Sequence, residues 1–209
     1  MIPFPYQVAG AGRVGPSSVV SGAYSGWNPS DKAGNVTLSA SDYVATGTSA
    51  SAGNVRSVKS RSTGKWYVEF VATNFVSTQG VGFATASASL STYLGGDANG
   101  WCLWGNYSAD LRRYNNNTFV THAGRTMATS EVYGLHIDND AGLAWWSEGA
   151  TVISGNPAAG TGAMATFTGG STIFLACSPF ANNSAWRVRT DPAEHSHSPQ
   201  SGFTAGWPN

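Results

Sequence analysis

The sequence predicts an all-β protein, a two-sheet antiparallel β-sandwich, on three observations. From Lys65 to Ala72 the side chains alternate: Trp66, Val68, Phe70 and Ala72 leave one face, Lys65, Tyr67, Glu69 and Val71 the other. Period-two alternation of bulky, β-branched and aromatic residues is what a half-buried strand requires. About ten short segments of this kind follow one another with turn residues between them, which is the pattern of a sandwich. The 26 glycines are spread along the chain, and no stretch between them has the periodicity or propensity for a long helix.

Taken in order, residues 1–26 read as an extended N-terminal docking arm. Pro3 and Pro5 favour extended backbone, and Gly10, Gly12 and Gly15 interrupt any regular element. Ile2, Phe4, Tyr6 and Val8 nonetheless alternate along one side, and a free tail rarely keeps four such groups. The arm therefore docks, on its own domain or on a neighbouring subunit. The domain spans 27–209. Val36–Leu38, Tyr43–Thr46 and Asn54–Lys59 are short strands, with Gly47–Gly53 a loop. Lys65–Ala72 and Val81–Ala84 form the central pair, read as antiparallel across a turn at Asn74–Gly80. Ala86–Thr92 is an irregular connection. Strands follow at Gly100–Gly105 and Asp110–Tyr114, the latter closed by the turn Asn115–Asn117. Glu131–Asp138 alternates again, and Gly142–Trp146 is its hairpin partner. Ile173–Cys177 is a buried strand and Ala185–Thr190 the last clear one.

The central stretch resembles a known family. Gly64-Lys65-Trp66-Tyr67-Val68-Glu69-Phe70 followed by Val81-Gly82-Phe83-Ala84 is similar to the core of SPRY-type domains, sandwiches of the concanavalin A-like jelly-roll kind. Thr85–Gly95 resembles a segment of SPRY-like domains in virion proteins of tailed bacteriophages. Trp27–Asp31, Asp138–Gly142 and Ser201–Trp207 fit the same pattern. The resemblance implies a SPRY-like sandwich over 27–209, with loops on one rim that bind partner proteins. A fold of this kind hosts many functions.

Composition narrows the function classes. Lys plus Arg and Asp plus Glu are 11 each, so no electrostatic case exists for nucleic acid or an anionic membrane. No apolar run approaches the ~20 residues that span a bilayer. No basic region followed by a hydrophobic segment marks a Sec-type signal peptide. Cys102 and Cys177 are too few for a disulfide framework; both read as small core residues, with a single bridge left open.

Catalytic patterns are weak. The glucanase pattern Glu-x-Asp is absent at Glu69, Glu131, Glu148 and Glu194, and retaining glycosidases need two carboxyl groups about 5 Å apart. Asp138-Asn139-Asp140 reads as a hairpin turn rather than a calcium loop. His195-Ser196-His197 puts two imidazoles on one side of an extended segment. It reads first as a polar surface loop; as a metal site it needs ligands from symmetry mates or from Asp191 or Glu194. No cofactor is implied. The remaining candidate is a binding face of Trp101, Trp104, Tyr107, Arg112, Tyr114 and Asn116, where rings stack and amides or Arg supply directional bonds. Trp101 serves equally as core.

Together these readings anticipate a non-enzymatic structural or adhesion protein of a phage virion, as capsid decoration, baseplate or tail-fibre component. Its partners would be other virion proteins or host surface glycans, and in the particle it would be a homo-oligomer assembled in the host cytoplasm. The alternatives are a soluble carbohydrate-binding module and, behind it, a glycoside hydrolase.

Overall fold

The computed structural model describes residues 23–106 and 109–209. The arm residues Ile2, Phe4, Tyr6 and Val8, and Tyr107 of the binding face, lie outside the described residues.

The strands in chain order are β1 (Trp27–Lys32), β2 (Val36–Ser39), β3 (Val44–Gly47), β4 (Val55–Arg61), β5 (Lys65–Asn74), β6 (Thr78–Thr85), β7 (Gly100–Asn106) and β8 (Ala109–Asn115). They continue with β9 (Thr118–His122), β10 (Val132–Asp138), β11 (Leu143–Glu148), β12 (Thr151–Val152), β13 (Ala165–Thr166), β14 (Ile173–Ser178), β15 (Ala185–Arg189) and β16 (Thr204–Ala205). One sheet runs β1-β4-β14-β6-β7-β8-β9. The other runs β12-β11-β10-β5-β15-β3-β2, with β13 beside β11 and β16 beside β5. Every pairing is antiparallel except that of β16 with β5. This is the two-sheet sandwich the alternation predicts.

The expected hairpin of Lys65–Ala72 with Val81–Ala84 is corrected. β5 pairs with β10 and β15, β6 with β14 and β7, and the two lie in different sheets. The link 75–77 crosses from one layer to the other. Val68 and Phe70 on β5 and Val81 and Phe83 on β6 thus bury their apolar faces in one core between the sheets, which removes more surface from water than edge-on pairing of the same strands. Trp27, Trp101, Trp146 and Trp186 share that core, with Phe83 stacked on Trp101 at 5.1 Å between ring centroids.

β5 is not half-buried. Tyr67 and Glu69, on its polar side, are fully buried, because the C-terminal segment after β15 lies over that face. A 3₁₀ turn at Pro192–Glu194, N-capped by the Asp191 side chain, starts this strap.

The domain also begins earlier than Trp27. Ser25 is fully buried; its N–H donates to Trp207 O, its Oγ accepts from Lys59 N, and its carbonyl accepts from Thr190 Oγ1. Those bonds join the beginning and the end of the described domain. Cys102 and Cys177 are both free and buried. They lie on opposite faces of the seven-stranded sheet, Cys177 in the central core and Cys102 in a smaller outer cluster, so the open question of a bridge is settled by geometry.

Candidate functional site

The outer face of the seven-stranded sheet carries a second apolar layer around Ala84, Leu94, Cys102, Trp104 and Ala176. It exists because the connection between β6 and β7 folds back over the strands and is tied there. Arg56, nearly buried, holds Asp31 through two 2.7 Å bonds and donates to Ala88 O at 2.7 Å. Asn54 bonds the backbone of Ser89 and Leu90. Asp97 accepts from Ser89 N and Asn99 N, both at 2.8 Å, which closes the loop on itself. Charge-assisted bonds of this kind are the strong ones, so the loop is a fixed wall.

That wall delivers Tyr93 to the rim of an open cavity of about 260 Å³ lined by Thr78, Tyr93, Trp104, Tyr114 and Phe180. Trp104 is its floor. Gly80 on β6 sits opposite Trp104, and a Cβ there would come within 2.4 Å of Trp104 Cε3; the absent side chain lets the indole lie across the sheet. Tyr93 and Phe180 meet Trp104 at 5.4 and 5.9 Å, and Tyr114 meets it at 6.1 Å, all tilted or edge-on, the geometry aromatic pairs prefer. The Tyr93 hydroxyl donates to Asn117 Oδ1. Its pKa is raised by burial and then by Tyr114, so it stays neutral. Arg112 stands at the rim, donating to the Tyr114 hydroxyl and lying 4.4 Å from the Phe119 centroid.

Of the residues expected to form a binding face, Trp104, Tyr114 and Arg112 are brought together here. Trp101 is not: it points inward and stacks on Phe83. Two neighbouring positions on one strand take opposite faces if their separation is odd, and 101 and 104 differ by three. Asn116 is exposed and serves the β8–β9 turn, with φ 51° and its N–H on Asp97 O; the neighbouring Asn117 is the one that touches the cleft. Thr78, Tyr93 and Phe180 were missed. Tyr93 falls in the segment whose likeness was noted, but nothing local marks Phe180 or Thr78 as neighbours of Trp104.

The histidine pair has another setting. Glu69, fully buried, accepts from Ser196 N at 2.8 Å, His197 N at 2.7 Å and the Tyr67 hydroxyl at 3.1 Å, with Arg189 at 3.3 Å. It clamps the strap to the sheet. His195 Nε2 meets Arg189 O at 3.1 Å and its ring stands edge-on to Tyr67. Burial lowers the His195 pKa, with Glu69 opposing. Beside it His136, buried, accepts from Gln200 N at 3.2 Å and packs on Tyr67 at 4.5 Å; burial lowers its pKa to about 4. Among the described residues no three His, Cys, Asp or Glu side chains gather as a metal site. The Asp138–Asp140 turn is held by protein groups, Asp138 pairing with Lys65 at 2.8 Å and Asp140 accepting from Gly64 N.

No family model and no curated protein matches the sequence. Among solved structures the chain is similar to the SPRY domain of human HERC1, with a TM-score of 0.58 and 12% identity over 78% of this chain and 96% of that one. The protein therefore has a SPRY-like fold. At that identity the likeness concerns the fold alone.

Proposed function

We propose that this chain is a non-enzymatic binding module that uses the aromatic cleft on its outer sheet face to hold a partner protein. The observation that carries this is a cavity with four aromatic side chains around it, outside the core, on a scaffold fixed by Arg56, Asn54 and Asp97. Rigid rings are the side chains that dominate recognition, since they offer large contact area at small entropic cost. About 260 Å³ accommodates one apolar side chain or one sugar unit, below the roughly 300–1,000 Å³ of sites for drug-sized ligands. None of the five lining residues is a carboxylate, and Glu69 is committed to the strap; both support a role without catalysis.

The finer setting we propose is the virion of a tailed phage, where the module joins other virion subunits or meets the host surface. It is supported by the sequence of Thr85–Gly95, which forms the very wall that carries Tyr93. Hydroxyl, amide and guanidinium groups of Thr78, Asn117 and Arg112 around the rings favour a second reading, a glycan-binding module, because rings stack on sugars while polar groups read their hydroxyls.

The test is binding of the full chain to purified virion subunits and to an array of host surface glycans, with Tyr93→Ala as the variant. Tyr93 is partly buried at the rim, outside the core between the sheets, so the fold should hold while affinity falls by about tenfold or more. Subunit binding supports the protein-partner reading, and binding to glycans alone supports the second. Binding to neither, or binding indifferent to Tyr93→Ala, rejects the cleft as the site.

A further inference from the structure

The seven-stranded sheet ends at β9, and no described strand covers its outer edge. Natural proteins blunt such edges with Lys, Pro, a bulge or a covering loop, because unpaired N–H and C=O groups template a new strand. Thr118-Phe119-Val120-Thr121-His122 has neither Lys nor Pro and pairs with β8 without a bulge. Phe119 and Val120 are 47% and 45% exposed, two of the four exposed large apolar residues among the described ones. Asn116 and Asn117, both with positive φ, make a two-residue turn that closes on the pair Asn115–Thr118. Hydrogen-bonded and non-hydrogen-bonded pairs alternate from there. Phe119 and Thr121 consequently aim their backbone groups outward, away from β8.

Residues 1–22 contain a segment complementary to that edge. Within a strand, alternate residues direct their backbone groups to the same side. In Ile2-Pro3-Phe4-Pro5-Tyr6-Gln7-Val8 the two residues lacking N–H stand at alternate positions. Ile2, Phe4, Tyr6 and Val8 can all pair with β9 while Pro3 and Pro5 face away and end the sheet, the position in which a strand tolerates proline. The same register sets the four apolar side chains on the face of Phe119 and Tyr114, continuing the aromatic stripe outward from the cleft. Neither Ile2–Val8 nor β9 carries an acidic or basic side chain other than His122.

We propose that Ile2–Val8 adds to β9 as a further strand of the seven-stranded sheet. The reach is sufficient: Tyr24, bridged to Pro208 just before β1, stands at the opposite edge of that sheet. A strand added beyond β9 stands seven strand spacings from β1, roughly 34 Å, and residues 9–22 extend to roughly 45–50 Å. The arm of the same chain therefore reaches the edge and supplies the strand.

Residue-resolved amide hydrogen exchange on the full chain tests this, together with molar mass by light scattering. The amides of Phe119 and Thr121 should exchange slowly and speed up by about tenfold or more in the double variant Phe4→Asp/Tyr6→Asp, which leaves the domain untouched. A second variant, Thr121→Pro, removes an N–H that serves no bond to β8. It should keep the unfolding midpoint and release protection at Phe4 and Tyr6. Protection at a constant monomer mass supports the chain's own arm, and protection that appears only as the mass rises would give the edge to a neighbouring copy and overturn the proposal. Unprotected Phe119 and Thr121 in the unaltered chain overturn the proposal. So does protection that neither variant changes, which would mean that a second β9 or an outside strand occupies the edge.

Discussion

His136 stays neutral between Tyr67, Phe203 and the strap, and its Nε2 takes the N–H of Gln200. Burial lowers its pKa from the ordinary 6.5 to about 4. The unfolded chain thus binds more protons between those values, and the stability that depends on neutral His136 is complete above pH 6.5 and lost as the pH falls to 4. The size of the effect is on the order of 3 kcal/mol. Denaturant midpoints of the native chain should fall across that window, whereas His136→Gln should show a flatter profile. An equal slope in both would assign the acid sensitivity elsewhere. At this scale the alternation of Glu131–Asp138 puts His136 on the strand face opposite Tyr133, Leu135 and Ile137, and those three lie in the central core while His136 does not. That its face is buried was invisible, since the covering strap comes from some sixty residues further along, a distance no local pattern reports.

At the scale of the element, the strap covers the outer face of the nine-stranded sheet over β5. Glu69 fixes it through two backbone amides, and Arg189 bridges Glu69 to the Ser196 hydroxyl at 2.6 Å. Glu69→Gln keeps the shape but turns an N–H₂ group toward N–H donors. Losing bonds to a buried charge should lower stability by about 2–3 kcal/mol, and exchange at Ser196 and His197 should accelerate more than exchange in β14. Uniform acceleration across both sheets would mean that the clamp is not local. The strands themselves were legible, because alternation and turn residues mark them. β9 and β1 were not, the first for its exposed faces and the second for its polar sequence, Trp27-Asn28-Pro29-Ser30-Asp31-Lys32, nor were β12, β13 and β16, which at two residues each are too short to show an alternation.

For the whole molecule, the N- and C-terminal ends of the described domain meet through Ser25, Trp207 and Asn209. The arm begins before that closure, so deleting residues 1–22 should leave one cooperative unfolding transition with a midpoint within about 2–4 °C of the full chain. On the virion reading proposed above, the truncated protein should fold yet fail to join the particle. Normal incorporation would remove assembly from the arm's roles. Deletion of 1–26 is a poorer experiment, because it also removes the buried Ser25 and its three bonds.

The sequence by itself determined the class of fold, most of the longer strands, the turns at Asn115–Asn117 and Asp138–Asp140, and the residue types of Trp104, Arg112 and Tyr114, which the structure brings to the cleft. Those are consequences of period, turn chemistry and residue type, all read within a few residues. Only the tertiary structure decided that β5 and β6 lie in opposite sheets, that Trp101 belongs to the core while Trp104 floors a cleft, and that Glu69 and the His195–His197 segment form a clamp. Each of these depends on which distant segment covers a given face. Burial of a strand face is a property of two segments together, and one segment's sequence records only its own half.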